Sequence, residues 1–431
     1  MATFTLPKTD NLQLFDVELD NATGVVYAGE ELRGHVIIMF GELVSLRSVR
    51  IRFLGRARTS WPDDRYYQLP VQERAIEHIM CQADQIIFDK TVTLYGHDSR
   101  CERRRDALLG VYELPFKFDV PPASPTTFEG EHGFIRYVCC VTLSTPWKSD
   151  RVAKRPFTVI QPSDLNSLRI SDSGPVDKPV ENESSVRLHS GCCLIMKVNE
   201  ISMVVRLPKS GFVCGEHIPV WVNVANNTSQ KIRKIKASLL QRIRYKSKYR
   251  GSANRDRVAY RTLAQVTTKE ELGARWGLIW DQESIRIPPI APTIDQESEL
   301  VKVDYGLVYE AAAVTVALPI LIGTIPLKSA GTLLRGGYKI DFSVLPRGQY
   351  PTDLFPLPPS WKLYDGIVPP PCYCKDDNTS PITVRERADV EWVPGQLEYE
   401  PRYPYFAWPP LEYNLSDDDD KTSTMSMPVF P

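Results

Sequence analysis

The chain has 431 residues, 42% of them hydrophobic and 24% charged, with a formal net charge of −1. That length exceeds a single hydrophobic core and predicts two domains with additional segments. The near-neutral balance gives no electrostatic case for a nucleic-acid partner or for bulk polybasic attachment to a membrane.

Met1 to Leu14 has no basic segment followed by an apolar core, so no signal peptide is expected. The longest apolar run, Ala311 to Ile325, is too short to span a bilayer and is interrupted by Pro319 and Gly323. Nine cysteines, an odd number, do not suggest a disulfide framework, so the sequons at Asn21 and Asn226 carry little weight. These features predict a cytoplasmic chain.

The first region, 1–164, reads as many short strands. Val36, Ile38 and Phe40 alternate in one run, and Val49, Ile51 and Phe53 alternate against Arg50 and Arg52 in the next. Tyr27-Ala28-Gly29-Glu30 supplies the turn before the first of these. Tyr137 to Leu143 and Arg155 to Ile160 add further strands, and Gln72 to Gln82 is the best helical candidate. An all-β sandwich follows. Residues 165–186 turn Ser-, Asp- and Pro-rich and read as a linker.

A second β pattern, assigned to 187–346, echoes the first. Gly215-Glu216 precedes Val220, Val222 and Val224 as Gly29-Glu30 precedes Val36, and Ile235 to Arg244 takes the place of Val49 to Arg58. Two copies of one sandwich are predicted. Residues 347–431 are proline-rich with isolated aromatics and an Asp417–Asp420 charge block, the composition of a flexible tail.

Several segments are more specific: Phe128-Glu129-Gly130-Glu131-His132-Gly133-Phe134-Ile135-Arg136-Tyr137, Thr145 to Asp150, Pro156 to Val159, Asp164 to Asn166, Leu318 to Leu327 and Tyr399 to Tyr405. Taken in order, they resemble the α-arrestins, the arrestin domain-containing proteins. Read as residues alone, Gly130 and Gly133 are expected to permit a positive-φ turn, and Pro319 and Pro326 to bracket an interior strand. The resemblance implies two arrestin-type immunoglobulin-like sandwiches, no catalytic centre and no cofactor. It also implies an adaptor that joins membrane receptors or transporters to HECT-type ubiquitin ligases and promotes their ubiquitination and endocytic sorting. Such a chain would be recruited from the cytoplasm to plasma membrane and endosomes by peripheral association only.

Pro370-Pro371-Cys372-Tyr373 matches the Pro-Pro-x-Tyr ligand of WW domains, with Pro370, Pro371 and Tyr373 as its binding residues. Consecutive prolines pre-form a polyproline II ridge, and the Tyr fills a second pocket. Two near-misses accompany it. Pro358-Pro359-Ser360-Trp361 places Trp361 where Tyr belongs, and Pro409-Pro410-Leu411-Glu412-Tyr413 has one residue too many before Tyr413. One good motif predicts a single ligase contact rather than a two-site clamp. Tyr399 to Tyr405 is instead expected to dock back on the second sandwich.

Basic residues Arg103, Arg104 and Arg105, and Arg242, Arg244, Lys246, Lys248 and Arg250, are candidates for contact with acidic lipid or phosphorylated cargo. Solvated loops are their plainer reading. No zinc spacing, phosphate loop or nucleophile elbow occurs. The rival functions are a retromer-like coat component and a regulatory scaffold acting without a ligase; neither needs Pro370 to Tyr373.

Overall fold

A computed structural model of the chain describes residues 12–68, 74–96, 106–146, 149–170, 174–187, 199–249, 253–269, 271–295, 300–327, 371–376, 379–384 and 397–406. Among these residues every regular element is a strand, and two sandwiches lie in tandem.

In the first sandwich, Glu31–Leu46 is the middle strand of one sheet, between Leu12–Leu19 and Asp106–Asp119. Its alternation puts Val36, Ile38 and Phe40 in the core. The facing sheet is built on Ser48–Gln68, which pairs with Arg74–Gly96 and Gly133–Ser144 and buries Val49, Ile51 and Phe53 while Arg52 faces solvent. Phe53 stacks on Phe118 across the two sheets, with ring centroids 4.4 Å apart. Each such fully buried side chain contributes about 1.5–3 kcal/mol of transfer free energy.

The second sandwich repeats the plan. Glu200–Leu207 and Val222–Asn226 form one sheet with Val180–Arg187 and Trp276–Trp280. Ile235–Tyr249 centres the other, between Ala253–Thr267 and Val301–Ala311. In both copies a three-residue strand enters the same turn: Val25–Tyr27 runs parallel to Arg151–Ile160, and Gly211–Val213 parallel to Val314–Gly323. Both Asn-x-Thr sequons close polar turns, though at different places in the two copies: Asn21 precedes Val25–Tyr27, whereas Asn226 ends Val222–Asn226. Thr23 and Thr228 each donate backbone N–H and side-chain hydroxyl to the side-chain Oδ1 of Asn21 and Asn226 respectively, a local Asx motif.

The sandwiches meet edge to edge. Lys248 pairs with Gln82, which joins the two larger sheets into one of eleven strands, and Thr59 donates to the carbonyl of Lys246 at 2.6 Å. On the other side of the junction, Leu165 N–H donates to the Ile325 carbonyl at 3.2 Å.

Four expectations change. The helical candidate Gln72–Gln82 is strand where it is described, part of Arg74–Gly96, with Cys81 opposite Trp61 and both buried; long-range pairing overrides local helix propensity. The linker is shorter than 165–186, because Val180–Arg187 is an edge strand of the second sandwich. Its largely polar, exposed pattern hides it from hydrophobic periodicity.

Gly130 and Gly133 do not adopt positive φ. They are close-approach positions, where a Cβ would lie 2.2 Å from the Tyr245 hydroxyl and 2.6 Å from the Arg58 carbonyl. Finally, Pro319 lies within Val314–Gly323, not at its end. Its ring faces solvent, in the part of the strand ahead of Leu321, where the parallel partner begins.

Candidate functional site

The stretch expected to be a flexible tail contains three described segments, and all three are seated on the sandwiches. Cys372–Lys375 pairs antiparallel with Arg402–Tyr405, and Ile382–Thr383 with Glu398–Tyr399. The paired segments form a strap that runs from Val25–Tyr27 of the first sandwich to Cys214 of the second.

Of the predicted ligand, Pro370 lies outside the described residues, Pro371 is buried and Cys372 is exposed. Tyr373 is 8% exposed and packs with Val25, Tyr27 and Ile160 of the first sandwich. The expectation of a displayed Tyr therefore gives way to a seated one. A bare aromatic ring next to an apolar socket gains more from burial than from solvent. Its hydroxyl donates to that of Tyr27 at 3.0 Å, and the rings meet edge-on at 6.5 Å. Burial raises the pKa of both phenols, so both stay neutral through the physiological range.

The rest of the strap is anchored the same way, by aromatic residues with satisfied hydroxyls. Tyr399 Oη shares a hydrogen bond with Thr158 Oγ1 at 2.8 Å and donates to the Phe157 carbonyl at 3.3 Å. Tyr403, 1% exposed, donates to the Thr127 carbonyl at 3.0 Å. Lys375 and Glu400 form an ion pair within the strap. The expectation that Tyr399 to Tyr405 docks on the second sandwich is thus corrected: Tyr399 and Tyr403 sit on the first. Only the end reaches the second, where the Arg286 guanidinium lies 5.5 Å from the Tyr405 ring centroid and Phe406 N–H donates to the Cys214 carbonyl at 3.0 Å. The Phe406 side chain is fully buried with Leu165, Val176, Val213, Ile325 and Leu327.

Cys372 and Cys374 share the outer face of their strand, with sulfurs 3.6 Å apart, and the Cys372 thiol reaches the Tyr405 carbonyl at 3.3 Å. The hydrogen bond with Cys374 lowers the Cys372 pKa to about 7. Between strap and first sandwich lies a cleft of about 220 Å³, with Arg155, Thr158, Lys375, Glu398 and Arg402 in its wall.

The basic candidates fare differently. Arg242 and Arg244 both pair with Asp304 at 3.0 Å, which neutralises part of the cluster. Lys246 is exposed, whereas the Lys248 side chain and Arg250 lie outside the description. Val258 and Tyr260, unremarked in the sequence, stand exposed on the adjoining strand opposite Arg244 and Arg242. Arg103, Arg104 and Arg105, and both near-miss motifs at Pro358, Pro359, Trp361 and at Pro409, Pro410, Tyr413, lie outside the described residues. Cys139 is buried and Cys140 half-buried on one strand, as alternation predicts. Among the described residues there is no group of three metal-ligating side chains, and no helix long and apolar enough to cross a membrane.

Sequence reasoning missed the receiving half of the site: Val25, Tyr27, Thr127, Thr158 and Cys214. Its one legible signal was a large aromatic, Tyr27, directly ahead of a glycine turn.

A family model described as arrestin (or S-antigen), N-terminal domain, matches residues 15–166, and one described as arrestin (or S-antigen), C-terminal domain, matches residues 197–327. The chain is 28% identical over 317 residues to arrestin domain-containing protein 17 of Caenorhabditis elegans, covering 73% of this chain and 71% of that protein. It is 26% identical over 328 residues to human arrestin domain-containing protein 4, covering 73% and 71% respectively. To human arrestin domain-containing protein 1 it is 24% identical over 330 residues, covering 76% and 68%.

Proposed function

Because the chain belongs to the arrestin domain-containing, or α-arrestin, family, we propose that it is a non-enzymatic adaptor linking membrane cargo to WW-domain HECT-type ubiquitin ligases. The observation that carries this reading is the complete Pro-Pro-x-Tyr match at Pro370 to Tyr373, attached to two arrestin sandwiches. A WW domain holds the prolines between aromatic rings and uses both ring and hydroxyl of the Tyr. The x position, Cys372, points away and contributes no specificity.

Receptors or transporters are the proposed cargo, ubiquitination followed by endocytic sorting the outcome, and plasma membrane and endosomes the places of action. The exposed strand pair carrying Lys246, Val258 and Tyr260 supports cargo contact, since it offers a cation beside apolar side chains on one open surface.

The test is capture of HECT-type ligases by the full chain and by its Tyr373→Ala variant. Emptying a pocket at the centre of a small interface is expected to lower binding by about tenfold or more. Equal capture by both chains would remove this motif from the function.

A further inference from the structure

We infer that the Tyr27 socket is an internal binding site for the WW ligand, so that the first sandwich and a ligase compete for the same side chains, Pro371 and Tyr373. The inference rests on the WW-ligand reading above.

In an extended segment successive side chains point to opposite sides. Here Pro371 and Tyr373 point inward and are buried, while Cys372 points out and is exposed. A WW domain binds the segment as a polyproline II helix, a different backbone from this strand, but takes the same side chains, the proline and the Tyr. The Tyr373 hydroxyl that a WW pocket would use donates to Tyr27 at 3.0 Å, and its ring fills the space between Val25, Tyr27 and Ile160. One Tyr side chain cannot fill the socket and a WW pocket at once. The two complexes are mutually exclusive.

The socket is a built site rather than a chance contact. Tyr27 is fully buried at the end of a three-residue strand held parallel to Arg151–Ile160. The ligand strand is held in register from its other edge, with Tyr373 opposite Pro404 and Cys374 opposite Tyr403. Tyr403 in turn is anchored through Thr127. Releasing the ligand requires withdrawing Tyr373 from the socket and opening the pairing between Cys372–Lys375 and Arg402–Tyr405, whereas Cys372–Lys375 pairs with no strand of either sandwich. When the competent state is a minority, apparent affinity falls by its population, so a latch closed ten to one weakens WW binding about tenfold.

The experiment titrates an isolated WW domain from a HECT-type ligase into four full-length chains: wild type, Tyr403→Ala, Tyr27→Phe, and Tyr403→Ala combined with Tyr373→Ala. Amide exchange over the core strand Val49 to Phe53 verifies that each is folded, and Tyr27→Phe removes only one hydroxyl should Tyr403→Ala unfold. Relative to wild type, Tyr403→Ala is expected to bind about tenfold tighter or more and Tyr27→Phe a few-fold tighter, with the gain abolished in the double variant. Equal affinities for wild type, Tyr403→Ala and Tyr27→Phe would overturn the latch while leaving the WW reading intact. Binding to Tyr403→Ala that Tyr373→Ala does not reduce, or no binding to any chain, would overturn both.

Discussion

Gly29 and Gly215 occupy the same turn in the two sandwiches, at φ of +92° and +93°, yet only Gly215 is covered by the strap. A Cβ on Gly29 would meet nothing nearer than Pro122 at 3.7 Å, whereas one on Gly215 would sit 1.9 Å from the Phe406 carbonyl. Gly29→Ala is expected to lose only the left-handed preference, about 1–2 kcal/mol. Gly215→Ala should lose that and also unseat Phe406, adding about 1–3 kcal/mol of overpacking. Denaturant midpoints of the two variants, with amide exchange at residues 402–406, measure the difference. Equal midpoints and equal exchange would separate the Phe406 seat from Gly215.

Beside that turn, Lys209 and Glu216 form a buried ion pair at 2.9 Å, and the second Glu216 oxygen accepts the Val213 N–H at 3.0 Å. Glu216→Ala strands a buried ammonium and is expected to destabilise the fold by about 3–5 kcal/mol. The double variant Glu216→Ala, Lys209→Met removes the orphaned charge and should recover part of that loss. Urea unfolding with an unchanged m-value reads both.

At the junction of the sandwiches, Gly130 leaves room for the Tyr245 hydroxyl. Gly130→Ala should push Tyr245 out of place and destabilise by about 1–3 kcal/mol. Adding Tyr245→Phe removes the clashing oxygen and should return part of it. A double-mutant cycle in thermal unfolding gives a non-zero coupling if the two residues meet as described, and additivity if they do not.

The Cys372 thiol offers a pH readout of strap seating. Its pKa is lowered to about 7, first through the hydrogen bond with Cys374, in a strand held by the strap. A depressed acid favours the seated state above its ordinary pKa and loses that contribution as pH falls through the depressed one. Strap protection in amide exchange should therefore be greater at pH 9 than at pH 6. Alkylation of Cys372 should show a midpoint near 7 in wild type and shift toward the ordinary thiol value of about 8.5 in Tyr403→Ala. A midpoint identical in the two chains would detach the thiol from the strap.

Legibility in the sequence followed periodicity. Val36, Ile38 and Phe40, and Val49, Ile51 and Phe53, announced half-buried strands, and the repeated Gly-Glu turns announced two copies of one plan. Val180–Arg187 stayed hidden because an exposed edge strand has no apolar face to alternate. Gly130 was read as a turn glycine because space taken by Tyr245, more than a hundred residues away, leaves no local trace. The tail motif was legible as a ligand, but its socket was not. Tyr373, Tyr399, Tyr403 and Phe406 look isolated in a proline-rich stretch, and their partners Tyr27, Thr158, Thr127 and Cys214 look like ordinary strand residues.

The order of synthesis gives the seated tyrosine a temporal side. Val25, Tyr27 and Ile160 emerge from the ribosome with the first sandwich, but Tyr373 follows Ile160 by about two hundred residues, roughly 10–40 s at 5–20 residues per second. Throughout that interval the first sandwich has been made but the side chain that covers the Tyr27 hydroxyl has not. Tyr27 can be covered by Tyr373 only after translation has passed residue 373.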